Sequence, residues 1–466
     1  MAGAATGFEL TDIQGDILRA YGNAYDRTSY LFTRIDDAAR GRAWLGGLAD
    51  QVTSAAPWTG PKPETNLNVA LTYTGLAALG VPAGVLETFS DEFSQGMAGR
   101  ADVLGDTGQS SPAGWDGGLG TGAAHVLVTL NAQTTEQLER ELDAFRAGVG
   151  AGGGVEIVNE QHAELLPGMR EHFGSADGFA QPAVEGATDH KNAGGGIALA
   201  DGRWRPLAPG EFILGYPDED TRVDPLKRLP SAPADPLGRN GTYMIYRKMY
   251  QDVALFRTTL REAAGLYHGG DEEKLHAKVV GRWPNGTPLV KSPGHPDPAF
   301  DGADPTANDF RYLDADVDGS SCPVGAHIRR ANPRDALGWK TLAGSGYLSF
   351  RHRVIRRGMP YGPLLPEGLQ DDGQDRGLVF TCFNASISRQ FEGILTQWMN
   401  DGNIFHLGHD KDFLLGDAAT TRKMTVQGDP PFFLSPQKSF VTTKGGEYLF
   451  APGLKALRAL AAGLPG

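Results

Sequence analysis

Residues 28–35 (TSYLFTRI) are rich in aromatic and β-branched side chains, which predicts a strand. Residues 66–73 (NLNVALTY) alternate apolar and polar positions, a second strand signature, and 74–80 then read as a helix. Residues 125–130 (HVLVTL) predict a third strand. Thr134 or Thr135 then stands as a helix N-cap, with Leu138, Leu142 and Phe145 following at i, i+4 and i+7 on one face. The glycine-rich run 148–154 stops that helix, and 155–158 predict a fourth strand. A β-α-β, β-α-β order with antiparallel pairing is a ferredoxin-like pattern.

The second half repeats this order. Residues 241–247 predict a strand, and Val253, Phe256 and Leu260 then fall on one helix face. Further strands are predicted at 346–350, 378–383 and 446–450. Phe391, Ile394, Leu395 and Trp398 mark an amphipathic helix, and Leu454, Leu457 and Leu460 mark a last one ended by Gly463. The halves share no residue-level repeat, so the duplication rests on element order. The expected architecture is α+β: two ferredoxin-like halves, residues 1–215 and 216–466, each an antiparallel sheet with peripheral helices. Three stretches, 95–122, 185–239 and 284–321, read as long irregular loops.

Composition narrows the function classes. The 466 residues carry 43 Lys+Arg against 56 Asp+Glu, a net charge of −13, so the chain lacks the basic footprint of a nucleic-acid binder. Anionic membranes are poor partners for the same reason. Cys322 and Cys382 are the only cysteines, too few for a disulfide scaffold or a cysteine-built zinc site. No apolar run is long enough for a transmembrane helix, and the first residues carry neither a basic n-region nor an apolar h-region. The default expectation is a cytoplasmic protein, with export by another route still open.

Three short strings carry candidate chemistry. GSADG (174–178) reads alone as a turn, Asp177 before Gly178. CPVGAHIRRANPR (322–334) sets His327 just ahead of Arg329, Arg330 and Arg334. A haem needs an axial nitrogen and cations for its propionates, and this segment offers both. RRGMPYG (356–362) reads alone as a surface turn. The string His406, His409, Asp410 has metal-ligand spacing, but Gly408 interrupts any helix there, and a loop is the plainer reading.

Taken in order, the three strings GxxDG, His327 and R-x-G-x-P-Y-G resemble the dye-decolorizing peroxidase family, in its longer bacterial subfamilies. LTDIQGDILRAYG, NLNVALTYTGLAALG, GMAGRADVLGDTG, AKVVGRWPNGTPLVKSP, RGLVFTCFNASISRQFE and FVTTKGGEYLFAPGL also resemble segments of that family, so the likeness covers nearly the whole chain. The resemblance implies a dimeric α+β barrel fold with one haem b per chain, held mainly by the second half. It implies Asp177 as the distal acid–base, Arg356 as the distal arginine and His327 as the axial iron ligand. It further implies Asp401, after Met399 and Asn400, as the acidic partner of His327. Arg334 and Asn332 match residues that contact the propionates, and Leu378 and Phe380 match residues lining the distal pocket.

The implied reaction is peroxide heterolysis at a ferric haem followed by two one-electron oxidations of dyes, phenols or lignin-like compounds. Manganese(II) oxidation is the runner-up within that class. A haem-handling protein with incidental peroxidase activity is the alternative from another class, and it would not need Asp177 and Arg356 as a pair. The expected partners are hydrogen peroxide and aromatic reductants, with no nucleic acid and no membrane, in a monomer or homodimer.

Overall fold

Strand β1 (Arg27–Ile35) is buried on both faces. Leu31 and Ile35 pack beneath helices, while Tyr30 and Phe32 belong to a second, interior cluster. Period-2 alternation sends the two sets to opposite sides of the sheet, and cover on both sides is what makes the strand apolar throughout. The computed structural model describes residues 7–19, 21, 24–187, 193–199, 201–220, 237–337, 347–417 and 422–464.

Helix α1 (Ala38–Ala49) follows, its first turn capped by the Asp37 carboxylate. Next come β2 (Thr65–Leu71), β3 (Val126–Ala132), α2 (Thr135–Gly152) and β4 (Val155–Glu164). Thr134 and Gln137 form a reciprocal capping box at the start of α2. These strands pair antiparallel in the order β4-β1-β3-β2, the ferredoxin-like arrangement. The second half contributes β5 (Thr242–Gln251), α3 (Val253–Ala264), the short β6 (Ile355–Arg356) and β7 (Met359–Tyr361), β8 (Gly377–Asn384), β9 (Val441–Ala451) and α4 (Leu454–Ala462). Their order, β9-β5-β8 with β6 and β7 on the free side of β8, repeats the same arrangement.

The halves form one nine-stranded sheet, joined where Phe450 of β9 meets Leu71 of β2. The segment DIQGDIL straps this seam. Gln14 donates to the carbonyls of Val69 (2.7 Å) and Pro452 (3.0 Å) and accepts from the Val69 amide (2.9 Å). Asp12 accepts from Asn240 Nδ2 and the Lys455 amide.

Some expectations are corrected. Residues 347–350 form a helical turn rather than a strand, and Gly346 lies outside the described residues. Arg351 explains why: it is tied to Glu211 (3.1 Å) and Asp218 (3.0 Å), which holds this turn off the sheet edge despite its aromatic content. The helix around 391–398 exists but is wound as two π-helical segments, Ile387–Glu392 and Ile394–Met399. The stretch 95–122 is not all loop, since Asp91–Gly99 and Ala101–Leu104 are helical. No helix among the described residues is long and apolar enough to cross a membrane.

Candidate active site

The loop carrying Asp177 is built from inside. The Glu171 carboxylate accepts from the amides of Phe173 (2.8 Å) and Ser175 (3.0 Å) and from Gln251 (2.8 Å). Ser175 Oγ lies 3.0 Å from His276 Nε2, and His172 Nε2 meets the Tyr361 carbonyl at 2.8 Å. The loop turns back at Gly174 and Gly178, whose φ values of +103° and +95° any Cβ would strain. The result is an Asp177 amide bound to the Met169 carbonyl and a carboxylate that takes the Gly178 amide at 2.7 Å.

That carboxylate meets Arg356. Nη1 donates to both oxygens, at 2.9 and 3.2 Å, and Nη2 to one, at 3.2 Å. The backbone of Arg356 lies on an edge strand and is closed by Gln181, which donates to its carbonyl and accepts from its amide, both at 3.1 Å. The Asp177 side chain is 53% exposed, and its open face lines a cavity. Burial pushes its carboxyl up, yet the Arg356 charge and hydrogen bonds outweigh this and hold it below the usual range.

Leu378 and Phe380 line the same cavity, with Met244, Met359, Pro360 and Phe383. They flank Val379 on β8, so alternation brings both to one face. His327 is not part of this wall, but Asp177 and Arg356 are close enough for their charges to act on its ring.

His327 opens the short helix His327–Ala331. Its Nδ1 lies 3.1 and 3.2 Å from the two oxygens of Asp412. The carboxylate facing the ring is thus Asp412, and the expectation of Asp401 is corrected. Asp401 spends its carboxylate on the Asn403 amide (2.9 Å), closing a turn, and its carbonyl on Arg330 (3.2 Å). Arg330 is fully buried and also binds the carbonyls of Trp398 and Asp410. It thereby ties the histidine helix to the loop that delivers Asp412. Asp412 itself has no exposed side-chain surface and accepts from the amides of Leu414 (3.0 Å) and Leu415 (2.7 Å). Burial disfavours a charged His327, but Asp412 outweighs it and raises the ring's affinity for a proton. Nε2 has no hydrogen-bond partner among the described residues, and the side chain is 30% exposed.

Cations gather around the same space. Arg334 takes a left-handed backbone (φ +53°), which costs roughly 1–2 kcal/mol in a non-glycine residue. It is fixed by the carbonyls of Asn308 and Phe310, both at 3.0 Å, and by stacking 3.7 Å over the Phe310 ring. Arg353 is 9% exposed, and its guanidinium has no hydrogen-bond partner among the described residues. Burial pushes Arg353 down to about 9, and the Arg334 and Arg356 charges push the same way. Arg282 is similarly lowered to about 10 by burial and by Arg334. Asn332, at the end of the histidine helix, leaves a buried Oδ1 without a partner.

This donor set fits a haem. It offers one nitrogen ligand already oriented through its other nitrogen. It also offers the Arg353 guanidinium, without a hydrogen-bond partner among the described residues and within a cationic cluster, suited to a dianionic edge. Sequence reasoning missed Arg353, which reads as one more basic residue in RHRVIRR, and Asp412, which lies 85 positions from His327.

Comparison with known proteins follows the geometry. The profile of the DyP dimeric α+β barrel domain matches residues 12–163. The multifunctional dye peroxidase DyP2 of Amycolatopsis sp. is 32% identical, the alignment covering 97% of this chain and 96% of the relative. A fungal DyP-type peroxidase from Auricularia auricula-judae superposes with a TM-score of 0.82 at 26% identity, over 98% of this chain and 100% of the other. A dye-decolorizing peroxidase solved with 2,6-dimethoxyphenol superposes with a TM-score of 0.81 at 27% identity, over 97% and 100% of the two chains.

Proposed function

The chain belongs to the dye-decolorizing peroxidase family and is a peroxidase, and from that premise we propose that it binds one haem b through His327 and reduces hydrogen peroxide with Asp177 and Arg356. The observation that carries this reading is the division of two carboxylates. Asp412 locks one nitrogen of an imidazole, and Asp177 faces a cavity with Arg356 paired to it at 2.9 Å.

Peroxide must lose a proton from one oxygen and gain one on the other, and a single positioned acid–base serves both transfers. Arg356 keeps Asp177 ionised, so it stands ready to accept the first proton. The guanidinium also donates toward the oxygens on which negative charge develops. Asp412 fixes the proton on Nδ1 and so presents the Nε2 lone pair of His327. Haem, when bound, supplies the redox iron that takes two oxidising equivalents from peroxide and passes them on singly. Arg353 and Arg334 would hold its carboxylates, and Leu378 and Phe380 would keep the distal space apolar.

Aromatic reductants are the substrates this reading favours, in keeping with the phenol bound by the solved relative. The test is the ultraviolet–visible spectrum of the haem-supplied protein before and after one equivalent of hydrogen peroxide. The expected result is a Soret band that peroxide shifts in the wild type and leaves unshifted in Asp177→Asn. A haem-loaded Asp177→Asn that responds like the wild type would remove Asp177 from the reaction.

A further inference from the structure

The wall of the Asp177 cavity also includes Asp16, a residue the mechanism above does not use. Asp16 belongs to the DIQGDIL strap and is 8% exposed. Gln14, two residues earlier, is fixed at both ends of its amide, so the strap holds Asp16 in place. Oδ1 of Asp16 is buried with no hydrogen-bond partner among the described residues. Arg357 is the nearest cation, but it spends its donors on carbonyls: Nε on Asp16 and Arg19, Nη1 on Arg356 and Nη2 on Ile17. It attracts the carboxylate without binding it. Asp16 shares the cavity wall with the charged side chains of Asp177, Arg170 and Arg356 and with Gln181, polar partners of the kind that hold water in a cavity.

Reducing one hydrogen peroxide to two waters consumes two electrons and two protons. A bulky reductant oxidised outside the cavity releases its protons to solvent, so two protons per turnover must enter. Asp177 cannot store them near neutrality, because Arg356 holds it ionised.

We propose that Asp16 is the proton-exchange group of this cavity, a positioning residue that resupplies Asp177 through cavity water. Its carboxylic acid gives a proton to the water chain, and the carboxylate left behind recovers one from solvent, with no net change in Asp16 over a turnover. Burial pushes the Asp16 carboxyl up to about 7, against the opposing charge of Arg357, so both forms are populated at neutral pH. The other titratable groups facing it do not compete. Tyr21 and Tyr30 are raised by burial and stay protonated, and Arg356 and Arg357 stay cationic. The proposal rests on the reading of Asp177 as the group that moves the peroxide's protons.

The test compares haem-loaded wild type with Asp16→Asn and Asp16→Glu. Infrared difference spectra across pH 5–9 are expected to show a protonated-carboxyl band titrating near neutrality, absent from Asp16→Asn. In stopped flow, the first peroxide cleavage is expected to stay within about twofold in Asp16→Asn. Its kcat with a large dye should fall on the order of tenfold, less than the 10²–10⁴-fold of a group touching the reacting atoms. Its solvent isotope effect should rise, and Asp16→Glu or added formate should restore turnover. A wild type without the neutral band overturns the proposal, as does an Asp16→Asn with unaltered kcat and pH profile. If Asp16→Asn fails to load haem, the wild-type infrared titration and Asp16→Glu decide. Asp177→Asn separates the two readings. Cleavage that survives it defeats the role of Asp177, whereas cleavage lost there with Asp16→Asn unaffected defeats only the relay.

Discussion

Asp412 and Asp177 are both carboxylates paired with a cationic or potentially cationic side chain, yet their surroundings differ. Asp412 is sealed, and its lone pairs are divided between two backbone amides and one ring nitrogen. Asp177 has comparable anchoring on one side only and opens on a cavity on the other. A sealed carboxylate can orient its partner but has no route for protons, whereas an open one can exchange them. Burial pushes both carboxyls up, and a partner brings both back below the usual range. Accessibility, more than proton affinity, separates their tasks.

The comparison breaks most visibly at the ligand the sealed carboxylate serves. His327→Ala is expected to abolish stable haem binding, read as loss of the Soret band after reconstitution. On the open side, Asp177→Asn is expected to slow peroxide cleavage by about 10²–10⁴-fold, and Arg356→Ala by about 10²–10³-fold, measured by stopped flow on haem-loaded protein. The pH dependence carries a sign. Arg356 holds the Asp177 carboxyl down, so the wild type keeps its base well into acid. Arg356→Ala removes the largest opposition to burial, leaving only the Gly178 amide and the Arg282 charge, and should move the acid limb of the cleavage rate to higher pH.

On the sealed side, Asp412→Asn is expected to cost about 10–100-fold in haem affinity or activity. Asp401→Asn should stay within about twofold. Equal effects from the two would erase the distinction drawn between them. The smallest expected effect concerns Glu447, which among the described residues has no cation partner and accepts from the Gly120 amide at 2.6 Å. Burial raises its carboxyl to about 8 despite that hydrogen bond. A carboxyl raised on folding binds a proton the unfolded chain lacks. Its contribution to stability is full below the unfolded pKa of about 4.3 and is lost as pH rises through about 8. Melting temperatures across that window should decline less in Glu447→Gln than in the wild type.

What was legible in the chain was local. GSADG and RRGMPYG each read alone as a turn, and Asp177 and Arg356 become candidates only because the strings occur in order with the His327 segment. The strands at 28–35 and 378–383 declare themselves through aromatic and β-branched content, and the helix faces at 138–145 and 454–460 through period. Asp412 does not, because nothing near it in sequence refers to a ring 85 positions away. Asp401 attracted the assignment because it follows the late helix, but that helix delivers only its carbonyl to Arg330. Arg353 was equally silent, since an unpaired guanidinium can be recognised only once its neighbours are in place. The turn at 347–350 shows the converse, a strand-like composition overruled by the ion pairs of Arg351.

The seam between the halves has a consequence for biosynthesis. Gln14 binds Pro452 across 438 residues, and β9, which closes the sheet onto β2, spans Val441–Ala451. A chain emerging from the ribosome can pair β1 to β4 early, since those contacts lie within the first 164 residues. The strap that carries Asp16 must wait for a segment 438 residues further along the chain before it is held at both ends. Closing so long a loop is slow relative to local pairing. The cavity wall is therefore completed only after β9 has been made, later than the β1–β4 sheet.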